Sequence, residues 1–299
     1  MTSRRGNGII FKTEWGGVMR FVQFEDAERF AQAAEPVLEQ GEDVNSLFYG
    51  VLQAIRAGKY ADPFMGIVEE EGELLGLFQM TPPHALNIIL AAEDRIKEIF
   101  QEAIRYIAEH SIPVQSIISQ KPWAEQFSTE WERQTGQTSV VLMDQGLYRL
   151  DATDESLVHS PGNWRKANEG DSPLIEEWYN AFELDTHLPA TDLNVVKEKV
   201  AKFIEDREVF VWEHDGEVVS MMKKSRPTKN SITVSLVFTP SDQRRKGYAR
   251  SLVAHVSKEL LQEYAFCVLY TDMLNPTSNK IYKEIGYQHI ADSVHIGFM

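Results

Sequence analysis

The chain contains a single cysteine, Cys267, among its 299 residues. One thiol excludes an intramolecular disulfide framework. Cys267 lies in the apolar run AFCVLY, where a small core filler is expected rather than a nucleophile. No apolar run approaches the roughly 18 residues that a membrane span needs. The opening MTSRRGNGIIFKTEW has no stretch like the apolar core of a secretory signal, roughly 7–15 residues long. Patterned sequence begins at Met19, so residues 1–18 are expected to be an extension or the product of an upstream start, and no role in the fold is assigned to them. These features point to the cytoplasm and to no membrane partner.

Positive charge is also scarce, with 30 Lys and Arg against 45 Asp and Glu and a net charge of −15. That balance argues against general binding to nucleic acid or to anionic membranes. The scarcity is uneven. Residues 223–250 hold Lys223, Lys224, Arg226, Lys229, Arg244, Arg245, Lys246 and Arg250 against one acid, Asp242. Local positive charge in an acidic chain suggests a small polyanionic ligand, with a solvated basic loop as the plain alternative.

The chain repeats itself. Residues 64–81, FMGIVEEEGELLGLFQMT, and 209–226, VFVWEHDGEVVSMMKKSR, each read as strand, Gly-Glu turn, strand. Two stretches of helical spacing precede each hairpin: DAERFAQAAEPVLEQ and VNSLFYGVLQAIRAG in the first half, SPLIEEWYNAFELD and DLNVVKEKVAKFIEDR in the second. After the first hairpin come a strand near 86–90, a helix over 92–109, the strand VQSIIS, the helix PWAEQFSTEWERQ and a final strand pair through TSVVLMDQGLYRLD. After the second come ITVSLVFT, a helix from Tyr248, FCVLYTD, the helix PTSNKIYKEIG and final strands through YQHIADSVHIGF. The fold class is therefore α/β, one pattern used twice. The expected division is a domain over 1–150, a polar linker over 151–162 and a domain over 163–299.

In ITVSLVFT, Ile232, Val234, Leu236 and Phe238 alternate with Thr233, Ser235 and Val237. SDQRRKG is then a strand-to-helix loop ending at a helix N-terminus, where unpaired N–H groups and the helix dipole favour a phosphate. Gly247 has no Cβ and lets a ligand approach the backbone. Neither the nucleotide P-loop nor the dinucleotide glycine pattern is present.

SLVFTPSDQRRKGYARSLV resembles the coenzyme A loop of the GNAT superfamily of N-acetyltransferases, whose signature is Q/R-x-x-G-x-G/A; Arg244, Gly247 and Ala249 stand at the marked positions. NPTSNKIYKEIGY resembles a second pattern of that superfamily through Asn275, Tyr282, Gly286 and Tyr287. The resemblance covers the second half closely and the first half only in its order of elements. It implies two tandem GNAT-like domains, each a mixed, mostly antiparallel sheet flanked by helices. It also implies acetyl-CoA as co-substrate, no metal, and transfer of an acetyl group to an amine on a small molecule or peptide. By position, the main chain of Val237, Phe238 and Thr239 would pair with the pantetheine arm. Amides around Arg244, Arg245, Lys246, Gly247, Tyr248 and Ala249 would cradle the pyrophosphate. Arg250 would stand near the adenosine phosphates, Asn275 would meet the pantetheine or the acyl end, and Tyr282 would protonate the departing thiolate.

The sequence departs from the family in one respect. Residues 231–239 contain no acid, where many members place a glutamate base. Asp272, Glu213, Glu183, Asp185 and His187 are the remaining candidates, and each could equally be a capping or solvated group. A coenzyme A-binding or interaction protein without catalysis is the rival reading. The first half departs further, with Glu93 and Asp94 at its equivalent helix start and no glycine or arginine pair, so one binding site per chain is expected.

Overall fold

The computed structural model describes residues 18–186 and 188–299. The first half runs β1 (Arg20–Phe24), α1 (Ala27–Leu38), α2 (Ser46–Arg56), β2 (Phe64–Glu70), β3 (Glu73–Met80), β4 (Leu86–Leu90), α3 (Ile96–Glu109), β5 (Ser116–Gln120), α4 (Lys121–Thr135) and β6 (Ser139–Leu150). The second half repeats this order with β7 (Asn163–Lys166), α5 (Ser172–Asp185), α6 (Leu193–Glu205), β8 (Val209–His214), β9 (Glu217–Ser225), β10 (Ser231–Phe238), α7 (Tyr248–Leu260), β11 (Phe266–Asp272), α8 (Pro276–Ile285) and β12 (Gln288–Phe298). No helix among the described residues is long and apolar enough to cross a membrane.

Two compact units result, and each borrows a segment from the other half of the sequence. Among the described residues, the first comprises 18–41, 51–145 and 292–299, and the second comprises 42–50 and the described part of 146–291. In the first unit the strands follow the order β1-β2-β3-β4-β5, and Ser293–Gly297 of β12 pair antiparallel with β5. In the second the order is β7-β8-β9-β10-β11-β6. The segment 42–50 is held in the second unit by Glu42. Its buried carboxylate accepts from Thr228 Oγ1 at 2.5 Å, Asn230 N at 2.6 Å and Asn230 Nδ2 at 2.7 Å.

Both hairpin turns take the form expected of their Gly-Glu signals. Glu71 and Gly72 have φ of 52° and 85°, and Asp215 and Gly216 have φ of 52° and 79°. Two consecutive positive φ values define the turn whose twist matches that of the flanking strands. Elsewhere the expected elements change. Each final strand pair is a single long strand, β6 or β12. Gly146 lies within β6 because of packing: a Cβ there would meet Met273 Sδ at 2.7 Å and the Tyr148 ring at 2.9 Å. The short strands β1 and β7 carry too little alternation to stand out in the sequence. The helix expected over 92–109 begins at Ile96, after a loop at 91–95.

The sheet of the second unit buries a different cluster on each face. Phe210 and Trp212 of β8 join Ile232, Val234, Leu252, Val256, Ile285 and Tyr287. Val209 and Val211, alternating with them, join Ile175, Trp178, Val196, Val200 and Met221. This is the period-two division expected of a strand buried on both sides.

Candidate functional site

The strict alternation expected along β10 does not hold. Ile232 and Val234 belong to the α7-side cluster, with Val237 packed against it, whereas Leu236 and Phe238 belong to the α5-side cluster. The cause is a bulge. The register with β9 shifts between Ser235, opposite Lys223, and Phe238, opposite Met221, and Leu236 has φ of 49°. One extra residue exchanges the faces of everything after it. On its other side β10 pairs in parallel with β11 only at Ser231, Ile232 and Thr233, the last opposite Val268. Leu236 and Val237 thus have a ladder partner in neither neighbour.

The end of β10 is fixed from below. Ser220 Oγ donates to Phe238 O at 3.0 Å and lies 2.9 Å from Thr239 Oγ1. Arg244 Nε donates to Thr239 O at 2.9 Å, and its guanidinium forms an ion pair with Asp185 at the end of α5. The Phe238 ring, 5.7 Å from that of Trp178, packs on the same helix.

Beyond Arg244 the chain turns sharply, with φ of 65° at Arg245 and 79° at Gly247, the residue before α7. No backbone or side-chain acceptor among the described residues takes a hydrogen bond from the amides of 244–250; the next amide, Ser251 N, donates to Gly247 O at 3.0 Å. A helix N-terminus with its donors free is an anion site by construction. The carbonyl of Lys246 faces away and accepts from Ser160 Oγ at 2.7 Å, while Ser160 N donates to Ser251 Oγ at 2.7 Å. Gly247 is required twice over, because a Cβ there would lie 2.6 Å from Ser160 Oγ.

The basic cluster of the sequence is largely dispersed in space. Lys223 pairs with Glu208 at 2.7 Å, Arg244 with Asp185, and Arg250 with Glu284 at 2.7 Å. Arg250 also donates to Val158 O at 3.1 Å. Among the described residues, Lys246 Nζ contacts only the neutral Gln243 Oε1, at 2.7 Å, and exposed Arg245 has no partner. Uncompensated positive charge therefore remains at Arg245 and Lys246, on the turn itself. Tyr248 contributes its amide, since its ring is buried 5.6 Å from that of His214. Ala249 follows on the first turn of α7.

Tyr282 is 8% exposed and lies in the core beside α7, its ring edge-on to Tyr287 at 6.0 Å. Burial pushes its phenol up to about 12. Its hydroxyl has no hydrogen-bond partner among the described residues, whereas that of Tyr287 lies 2.8 Å from Ser257 Oγ. Asn275 caps α8, accepting from Ser278 N at 3.1 Å.

Most of the candidate bases are engaged. Buried Glu183 accepts from Thr191 N at 2.9 Å and Thr191 Oγ1 at 2.6 Å. Asp185 and Glu213 are ion-paired, the latter to Arg165 at 2.8 Å. Asp272 accepts from Leu274 N at 2.8 Å through one oxygen and has no cationic partner among the described residues. His187 lies outside the described residues. Ser160, Ser220 and Ser251 could not be singled out in the sequence, because nothing local marks a serine that braces a loop from a distant segment.

The equivalent position in the first unit is filled. Ser119 Oγ donates to Ile88 O at 2.7 Å, beyond the last β4–β5 pair at Asn87 and Ile118. Ala91 and Ala92 donate to Leu75 O at 2.9 and 3.3 Å. Glu93 accepts from Trp123 Nε1 at 3.2 Å, and Arg95 pairs with Glu70 at 2.5 Å.

Residues 216–296 match the family described as FR47-like protein. Solved structures share the fold over nearly the whole chain. An acetyltransferase of the GNAT family from Colwellia psychrerythraea is 12% identical with a TM-score of 0.61, covering 93% of this chain and 98% of its own. A GCN5-related N-acetyltransferase from Sphaerobacter thermophilus is 14% identical with a TM-score of 0.62, covering 93% and 96%. A tandem GNAT protein of the clavulanic acid biosynthesis pathway is 12% identical with a TM-score of 0.58, covering 94% and 98%. No curated protein sequence matches the chain. The chain is a tandem GNAT-fold protein whose second unit carries the FR47-like match.

Proposed function

We propose that the second unit binds acetyl-CoA and transfers its acetyl group to a primary amine. One observation carries this reading: the free amides of 244–250 stand at the start of α7, beside a strand whose Leu236 and Val237 pair with neither neighbour. An extended arm adds to an unpaired strand through main-chain hydrogen bonds, and a pyrophosphate suits the free amides. Phe238 O and Thr239 O already accept from Ser220 and Arg244, so Val237 offers the least committed main-chain groups.

In this reading a neutral amine adds to the thioester carbonyl, the carbon–sulfur bond breaks, and the products are the N-acetylated amine and the free thiol. Tyr282 remains protonated throughout the neutral range and donates to the sulfur as it gains charge. The burial that raises its pKa also makes a bare phenolate costly, so the proton lost by the amine must return to Tyr282 as the thiol forms. Asp272, the candidate carboxylate without a cationic partner, is assigned to receive that proton first, directly or through water. The rival reading, binding without catalysis, draws on the absence of any acid in 231–239. Release of free thiol from acetyl-CoA, followed across a panel of primary amines with the whole chain, separates the two. Amine-dependent release supports transfer; acetyl-CoA binding with no release from any amine supports the rival.

A further inference from the structure

The exposed large apolar side chains of the second unit are not scattered. Apart from Val158, they fall on two stretches: Leu184, Leu188, Leu193 and Val195 around the α5–α6 connection, and Met273 and Leu274 between β11 and α8. Leu184, Leu193 and Leu274 are 77%, 71% and 86% exposed. Single exposed leucines are ordinary, but a gathering of them marks a contact surface.

Both stretches lie at one end of the site. β10 and β11 are parallel, so Thr239 and Asp272 mark the same edge of the sheet, and Met273 follows directly. The α5 end is tied to that edge by Arg244, which bonds both Thr239 O and Asp185, the residue after Leu184. The separated ends of β10 and β11 are thus flanked by apolar groups on either side.

The charge is equally one-sided. Residues 182–194 and 269–275 contain no Lys or Arg; of their acids Glu183 is buried and Asp185 is paired with Arg244, which leaves Asp192 and Asp272 to give the rim its charge. A rim that is apolar and acidic complements a molecule that is apolar and cationic.

We infer that the acceptor is a small hydrophobic primary amine, one whose amino group is carried on an alkyl or aryl body rather than on a polar one. This rests on the acetyl-transfer reading and deepens it by naming the substrate class. The amine reaches the rim as its ammonium ion, loses a proton there and presents the neutral nitrogen to the thioester, while its apolar body covers the exposed leucines.

The test uses the whole chain, acetyl-CoA and the series ethylamine, butylamine, hexylamine, with ethanolamine and putrescine as polar comparisons. Thiol release should rise in kcat/KM by about three- to fourfold per added methylene, with the polar amines below butylamine. The double variant Leu188→Asn, Leu274→Asn should flatten the series, and Val141→Asn, an exposed position in the first unit, should leave it unchanged. A flat or falling series, or a preference for the polar amines, overturns the inference while leaving acetyl transfer intact. If no amine releases thiol, saturation-transfer NMR of hexylamine against ethylamine on the acetyl-CoA-loaded chain decides. Length-dependent binding without turnover keeps the hydrophobic amine and removes catalysis; equal or absent binding overturns the inference.

Discussion

Ser160 Oγ donates to the carbonyl of Lys246 at 2.7 Å, and the same oxygen would stand 2.6 Å from a Cβ at Gly247. The segment before β7 therefore braces the turn before α7 and also restricts it to glycine. Gly247→Ala is expected to cost roughly 1–2 kcal/mol from the left-handed backbone alone, with displacement of Ser160 in addition, and to weaken acetyl-CoA binding at least tenfold. Ser160→Ala loses one hydrogen bond, about 1 kcal/mol, and should weaken binding less. Urea midpoints and calorimetry on the two variants check the order; equal binding by Gly247→Ala and wild type would contradict it.

Tyr282 gives an unusually clean substitution, because its hydroxyl has no partner among the described residues. Tyr282→Phe should leave the melting temperature and acetyl-CoA affinity near wild type and lower kcat about 100-fold or more, within the range of a lost general acid. A core role alone leaves kcat unchanged, so steady-state turnover distinguishes the two.

Arg244 and Arg245 are neighbours with different work. Arg244 is bonded to Asp185 and Thr239 O, whereas Arg245 is exposed on the turn. Arg245→Ala should weaken acetyl-CoA binding about two- to fivefold at low salt, as expected of an exposed charge, and the difference should vanish in high salt. Arg244→Ala should act mainly on stability and on the KM for the amine. Salt-dependent loss of affinity at Arg244 and none at Arg245 would reverse the assignment.

Burial pushes Tyr282 and the thiol of Cys267 each up to about 12, and Tyr287 well above the ordinary range. In the unfolded chain such groups ionise near 8.5 and 10. The folded state therefore holds its protons longer. The stability this contributes is complete below about pH 8.5 and is lost as pH rises toward 12. Urea midpoints should hold from pH 7 to 8 and fall progressively above pH 9, with Cys267 unreactive to iodoacetamide until unfolding. A midpoint constant to pH 11 would show that these groups are not buried as described.

The parts of the fold that depend on local sequence were legible. The turns at Glu71–Gly72 and Asp215–Gly216, the start of α7 at Tyr248 and the repeated order of elements follow from residues next to one another. What depends on distant partners was not. The bulge at Ser235–Phe238 has no local signal, since ITVSLVF alternates cleanly on paper. The pairing of Arg244 with Asp185, 59 residues away, has no local signal either. The packing of Met273 and Tyr148 that restricts position 146 to glycine also has no local signal. The membership of 42–50 in the second unit involves hydrogen bonds that the Glu42 carboxylate accepts from Asn230, 188 residues away. The candidate site was visible through its glycine and its spacing, and the serines that brace it were not.

The most direct test of the central claim is a calorimetric titration of the whole chain with acetyl-CoA. Free amides at 244–250 beside the unpaired Val237 should give one bound molecule per chain, at micromolar affinity or about −8 kcal/mol. The filled first unit, with Ser119 on Ile88 O and Glu93 on Trp123, should contribute none. No measurable binding would contradict the assignment of the loop, and two molecules per chain would contradict the assignment of a single site.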